Sequence, residues 1–323
     1  MLEESKPEVT PESKVPTAQE HYERGNEFKK KNLVKAIKEV SEAIEKDWDK
    51  AIEEFSEAIR LDPKFAAFYH NSRGIAYYNK GGLDNSIVDY TEAINLDPNN
   101  AAAYFNRALT YQDKGDLDSA ISDYTHAIGL DLNEVSAYAK RGNSYAAKGD
   151  LDNAISDFTR AIDLEPNYAE NCNNRGLAYH DKGDLDSAIS DYTHAIDMEP
   201  KFVGFRVNRG IAYQDRGEPD NAISDFSQAI DIDPYNANAY LQRGNTYYGM
   251  GNLDNAISDY TRAIELLYPS YVTAFYNRAK AFEKKGNTAR AKADLAEAEM
   301  LGHCGDENEL RAVLDAFPKT AFL

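Results

Sequence analysis

The chain has 323 residues, 36 of them Lys or Arg and 55 Asp or Glu, for a formal charge of −19. That balance excludes nucleic acid as the main partner, because phosphate binding needs a basic surface. A hydrophobic share of 42% excludes wholesale disorder, and no apolar run approaches the roughly 18–20 residues of a membrane-spanning helix.

Taken in chain order, residues 1–17 carry Glu3, Glu4, Lys6, Pro7, Pro11 and Pro16 and no apolar core. They read as a disordered tail and not as a signal peptide, so the cytoplasm is the expected compartment. Residues 18–31 look like the first helix of a helical pair, with Gly25 inside it. The stretch Ala36-Ile37-Lys38-Glu39-Val40-Ser41-Glu42-Ala43-Ile44 then nearly recurs as Ala51-Ile52-Glu53-Glu54-Phe55-Ser56-Glu57-Ala58-Ile59. A second helix is thus duplicated without a first helix between the copies. The apolar period continues across the join, which predicts one helix of about 28 residues from Leu33 to Arg60. A break near Asp47 that loops out one copy is the alternative. Residues 18–66 are therefore an irregular N-terminal repeat and the best candidate for local disorder or domain-swapped assembly.

From Ala67 the chain repeats every 34 residues, in seven copies starting at Ala67, Ala101, Val135, Ala169, Val203, Ala237 and Val272. The fifteenth place is always Gly, from Gly81 to Gly286. The eighth is Gly or Ala, the twentieth is small, and the twenty-seventh is Ala throughout. The twenty-fourth is large: Tyr90, Tyr124, Phe158, Tyr192, Phe226, Tyr260 and Leu295. Apolar residues keep helical spacing on both sides of the fifteenth-place glycine, so each copy predicts two helices. The glycine ends the first because it adopts positive φ without steric cost. Asp116, Asp150 and Asp184 follow it, where a carboxylate caps free N–H groups at the start of the second helix. Pro219 falls in the same first turn of its copy. Small residues at places 8 and 20 let the two helices approach, and the large residue at place 24 fills the gap.

This pattern resembles the tetratricopeptide repeat family over residues 18–302. The resemblance implies an all-α fold: a right-handed α-solenoid of stacked helix-turn-helix units with a concave groove. Each unit buries its apolar face only against its neighbours. One departure from the family pattern recurs in every copy. Place 7, usually leucine, is Arg (Arg73, Arg107, Arg141, Arg175, Arg209, Arg243, Arg278), and place 23 is Asp (Asp89, Asp123, Asp157, Asp191, Asp225, Asp259, Asp294). The two places lie opposite in an antiparallel hairpin, which predicts seven Arg–Asp pairs that pin helix register.

Beyond the repeats, Asp306 to Phe317 reads as an amphipathic helix within residues 303–323, expected to cap the last repeat. The six histidines are scattered, and no HExxH, P-loop, GxSxG or dinucleotide fingerprint occurs. The carboxylate pairs recur in every copy, whereas an active site is singular. No catalysis, metal or cofactor is expected.

Family resemblance places the first helix of each pair on the concave face, with places 2, 5, 6, 9 and 12 pointing into the groove. Place 6 reads Ser72, Asn106, Lys140, Asn174, Asn208, Gln242 and Asn277. An amide donates and accepts together, which suits an extended peptide backbone. The set resembles the asparagine ladder of peptide-binding family members. Asn71, Asn143 and Asn245 stand beside it, and Asp113, Asp181 and Asp215 would favour basic side chains. The family's two-carboxylate clamp for chaperone tails is incomplete: its lysine places hold Tyr22, Asn71, Ser136 and Glu170. The expected function is a non-catalytic scaffold that binds a neutral-to-basic, extended protein segment. A regulatory or substrate-docking subunit of an enzyme and an architectural self-stacking protein remain alternatives. Places 16, 18, 23 and 31 hold 22 acidic residues and places 7 and 14 hold 13 basic ones. About half of the net charge therefore belongs to the repeat and not to the ligand surface.

Overall fold

The computed structural model describes residues 48–130, 135–267 and 272–302. These residues form fifteen α-helices and one short 3-10 turn at Pro63–Phe65, with no strand among them. The expected tail (1–17), the residue 18–31 helix, the duplicated segment before Trp48 and the capping helix within 303–323 lie outside the described residues.

The chain falls into two compact units, Met1–Leu132 and Asn133–Leu323. The first holds α1 (Trp48–Leu61), α2 (Ala66–Asn79), α3 (Leu83–Leu96), α4 (Ala101–Asp113) and α5 (Leu117–Gly129). Of the expected helix from Leu33 to Arg60, only the part within α1 is described. Its Ala51 and Phe55 pack on Tyr69 and Ala76 of α2. The second unit holds α6 (Val135–Ala147), α7 (Leu151–Leu164), α8 (Ala169–Lys182), α9 (Leu185–Met198), α10 (Val203–Asp215), α11 (Pro219–Ile232), α12 (Ala237–Gly249), α13 (Leu253–Leu267), α14 (Val272–Lys284) and α15 (Thr288–Gly302). Seven helical pairs result, one for each copy of the repeat.

The turn within a pair follows from three neighbouring residues. All seven fifteenth-place glycines take φ between +77° and +86°. After Gly115, the Asp116 N–H donates back to the Tyr111 carbonyl at 2.9 Å, while the Asp116 carboxylate accepts from the Ser119 N–H at 3.2 Å. One residue therefore closes the first helix and caps the second. Asp150 and Asp184 do the same with Tyr145 and Tyr179 and with Asn153 and Ser187.

Within a pair, the place-24 ring lies against the place-8 residue. A Cβ on Gly210 would stand 2.5 Å from Phe226 Cε1, so this close approach requires glycine where the ring is unyielding. Within each unit, the second helix of a pair packs on the first helix of the next copy. First helices of neighbouring copies also touch: α2 with α4 in one unit, and α6, α8, α10, α12 and α14 in succession in the other. Second helices do not meet to the same degree. An array packed more closely on one side curves towards that side, so the first helices form the inner face of each unit.

Candidate peptide-binding face

Beneath the inner face runs the expected Arg–Asp ladder, complete in all seven copies. Each pair is a fork: Nε donates to one carboxylate oxygen and Nη2 to the other, at 2.7 Å each in Arg175–Asp191. Both members are largely shielded from water; the Asp191 side chain is 10% exposed. The ladder has a third rung that the sequence reading missed. Arg175 Nη1 donates to Thr159 Oγ1 of the preceding pair at 3.1 Å, and that hydroxyl donates its own proton to the Ile155 carbonyl at 2.7 Å. The same relay joins Arg73 to Ser56, Arg107 to Thr91, Arg209 to Thr193 and Arg278 to Thr261, and Arg243 likewise donates to Ser227 Oγ. A hydroxyl whose proton is committed to an i−4 carbonyl keeps its lone pairs for a donor, which is what a third guanidinium arm requires. The signal was a Ser or Thr at place 25 in each of the first six copies.

A second stitch is exposed. Lys182 reaches Asp152 and Arg216 reaches Asp186, both at 2.5 Å, and Lys80–Asp49, Lys114–Asp84 and Lys285–Asp254 pair alike. Asp84, Asp152, Asp186 and Asp254, all at place 18, thus lie in the first helical turn and also bind the next copy. At this exposure water screens each pair, and its contribution to stability is small.

On the inner face itself, the amides bond to one another across copies. Asn106 Nδ2 donates to Asn71 Oδ1 at 3.2 Å, and Asn208 Nδ2 donates to Asn173 Oδ1 at 2.8 Å. In both cases place 6 donates to place 5 of the preceding copy. Asn277 donates instead to Asn245 at 2.9 Å, Asn245 donates to Gln242 at 3.3 Å, and Gln242 to Asn238 at 3.4 Å. Asn71, Asn106, Asn143, Asn174, Asn208, Gln242, Asn245 and Asn277 are half-buried, and Lys140 is exposed. Two of the three expected acidic contacts are already engaged: Asp113 accepts from the Tyr78 hydroxyl at 2.5 Å, and Asp215 lies 2.8 Å from His180 Nε2. Asp181 stays exposed, 3.7 Å from the other nitrogen of His180.

The second unit also contains a cleft of about 480 Å³ between α6 and α8, lined by Lys140, Asn143, Glu165, Glu170, Asn171 and Asn174 among others. Three of these belong to the expected set. Among the described residues, no group of three or more His, Cys, Asp or Glu side chains is arranged to hold a metal ion, and no helix is long and apolar enough to cross a membrane.

Family models described as tetratricopeptide repeats match residues 42–115, 142–183 and 210–251, 237–267, and 101–134 and 169–202. The chain belongs to the tetratricopeptide repeat family. It is similar to the crystal structure of a tetratricopeptide repeat protein from Parabacteroides merdae, with 21% identity and a TM-score of 0.63 over 77% of this chain and 98% of that one. It is also similar to YrrB, described as a tetratricopeptide repeat protein with an unusual peptide-binding site, at 23% identity and a TM-score of 0.52 over 58% of this chain and 97% of that one. The Cut9–Hcn1 hetero-tetramer of APC/C aligns at 20% identity and a TM-score of 0.54 over 75% of this chain and 48% of that one. No curated protein matches in sequence. At these identities the solved structures support the fold: an α-solenoid of tetratricopeptide repeats, an architecture suited to a protein–protein interaction scaffold and typically non-catalytic.

Proposed function

We propose that the chain is a non-catalytic scaffold that binds an extended peptide segment along the inner face of its first helices. The observation that carries this reading is the row of half-buried amides at place 6 and beside it. An amide bonded to one neighbour keeps further donor and acceptor capacity, and an extended backbone presents both kinds of group at regular intervals. YrrB, of the same fold, is described by its peptide-binding site, which agrees with this reading. The preferred segment is neutral to basic, because the chain carries a charge of −19 and Asp181, next to place 12, is exposed.

The test replaces Asn174 and Asn208 together with Ala and measures capture of partner proteins beside the helical circular dichroism. Capture falls while the helical signal holds. Unchanged capture by a folded double variant would refute groove binding.

A further inference from the structure

The cleft between α6 and α8 exists because two copies break the repeat in complementary ways. At place 5 the small Ala139 stands where Asn71 and Asn173 stand in two other copies. Those two asparagines accept from the place-6 amide of the next copy. Facing Ala139, Asn174 finds no such acceptor; its amide only accepts, from Asn173 Nδ2 at 3.3 Å. Asn171 stands at place 3, where four copies carry Ala (Ala103, Ala137, Ala239 and Ala274) and two carry an aromatic residue (Tyr69 and Phe205). Asn171 lines the cleft and is 1% exposed, and its Nδ2 is buried with no hydrogen-bond partner. An orphaned buried donor costs stability, and one that lines an open cleft points to an acceptor supplied from outside.

The cleft is also acidic. Glu165 and Glu170 line the cleft, and the Tyr168 hydroxyl donates to Glu170 at 2.7 Å. The Tyr168 phenol is held above its ordinary range, first by that hydrogen bond and then by the negative charges of Glu170, Glu165 and Glu199. The donors Asn171, Asn174 and Lys140 thus face a site that also holds two carboxylates, and a single charged ion of either sign would satisfy only half of it.

We propose that this cleft seats one Lys or Arg of an extended peptide, its main-chain carbonyl accepting from the Asn171 and Asn174 amides and its cationic head meeting Glu165 and Glu170. Lys140, exposed at the rim, donates to the next carbonyl along the segment. The inference rests on the groove-binding reading and locates its specificity in one pair of repeats.

The test uses the full chain and positional dodecapeptide mixtures whose central residue is fixed as Lys, norleucine or Glu. The wild type binds the Lys mixture about tenfold more tightly than the norleucine one, the scale of a charge-assisted contact. Glu165→Gln/Glu170→Gln removes that preference. Asn171→Ala restores the residue that four other copies carry; it weakens binding of the Lys mixture several-fold while the melting temperature stays level or rises. A purely structural asparagine would instead lower the melting temperature and leave binding alone, and that result overturns the proposal. Equal binding of the three mixtures overturns it too, but if Asn208→Ala then weakens all of them, groove binding itself survives. Failure of every mixture to bind the wild type removes both readings.

Discussion

Arg175 grips Asp191 through two parallel hydrogen bonds of 2.7 Å each, joining the first helix of a repeat to its second at the level of the core. The pair is mostly shielded, with side-chain exposures of 21% and 10%. Removing one partner leaves a buried, uncompensated charge. We predict that Arg175→Met destabilises the chain by about 3 kcal/mol, whereas Arg175→Met/Asp191→Leu lies closer to wild type than the single variant. Chemical denaturation of the three proteins checks both statements.

The Thr159 hydroxyl that receives the third arm of Arg175 joins one repeat to the next. Thr159→Val keeps shape and removes the acceptor, so a guanidinium donor is left without a partner. The expected loss is about 1–2 kcal/mol. In the Arg175→Met background the same change should cost almost nothing, and a double-mutant cycle measures the difference.

Gly210 shows how closely the helices of one pair approach, since an added Cβ would meet the Phe226 ring at 2.5 Å. Gly210→Ala should cost about 1–3 kcal/mol through overpacking. The last repeat indicates the remedy: there Ala279 faces Leu295, both buried. Gly210→Ala/Phe226→Leu should recover most of the lost melting temperature.

Burial drives the phenols of Tyr90, Tyr124, Tyr192 and Tyr260 well above their usual range, and its bond to Asp113, helped by burial, pushes Tyr78 up to about 12. The folded chain keeps these protons at pH values where the unfolded chain has released them, near pH 10. Their contribution is therefore intact below about pH 10 and is lost as pH rises towards the folded values. An alkaline titration that follows tyrosinate absorbance and helical signal together should show a delayed step coincident with loss of helix. Smooth ionisation of all tyrosines near pH 10 in a folded chain would contradict this.

The parts of the fold legible in the sequence are those that repeat within one copy. Places 7 and 23 carry opposite charges in every copy, and an antiparallel hairpin brings them together whatever surrounds it, so the ladder could be read in advance. The hydroxyls at place 25 repeat almost as faithfully, yet Thr159 alone reads as a solvated helix residue. Its partner Arg175 lies in the next repeat, and opposition across repeats depends on the stacking of pairs, which a 34-residue period does not specify. For the same reason Asp152 read only as a helix-start carboxylate, although Lys182 reaches it. The amides at place 6 were legible as polar inner-face residues, but their mutual bonds, such as Asn208 to Asn173, were not. The cleft was hidden for a different cause: it follows from a missing amide at Ala139 and an extra one at Asn171, a mismatch between two copies that a consensus averages away.

The central claim is that a partner segment lies along the first helices, and photocrosslinking from two apolar, exposed positions tests it most directly. Leu177, on α8, is 39% exposed on the proposed binding face, and Val88, on α3, is 66% exposed on a second helix. Each is replaced by benzoylphenylalanine in the full chain and irradiated in lysate of cells that make the protein. The account predicts discrete adducts from position 177 that disappear with Asn174→Ala/Asn208→Ala, and none from position 88. Adducts that form from position 88 and not from 177 would contradict it.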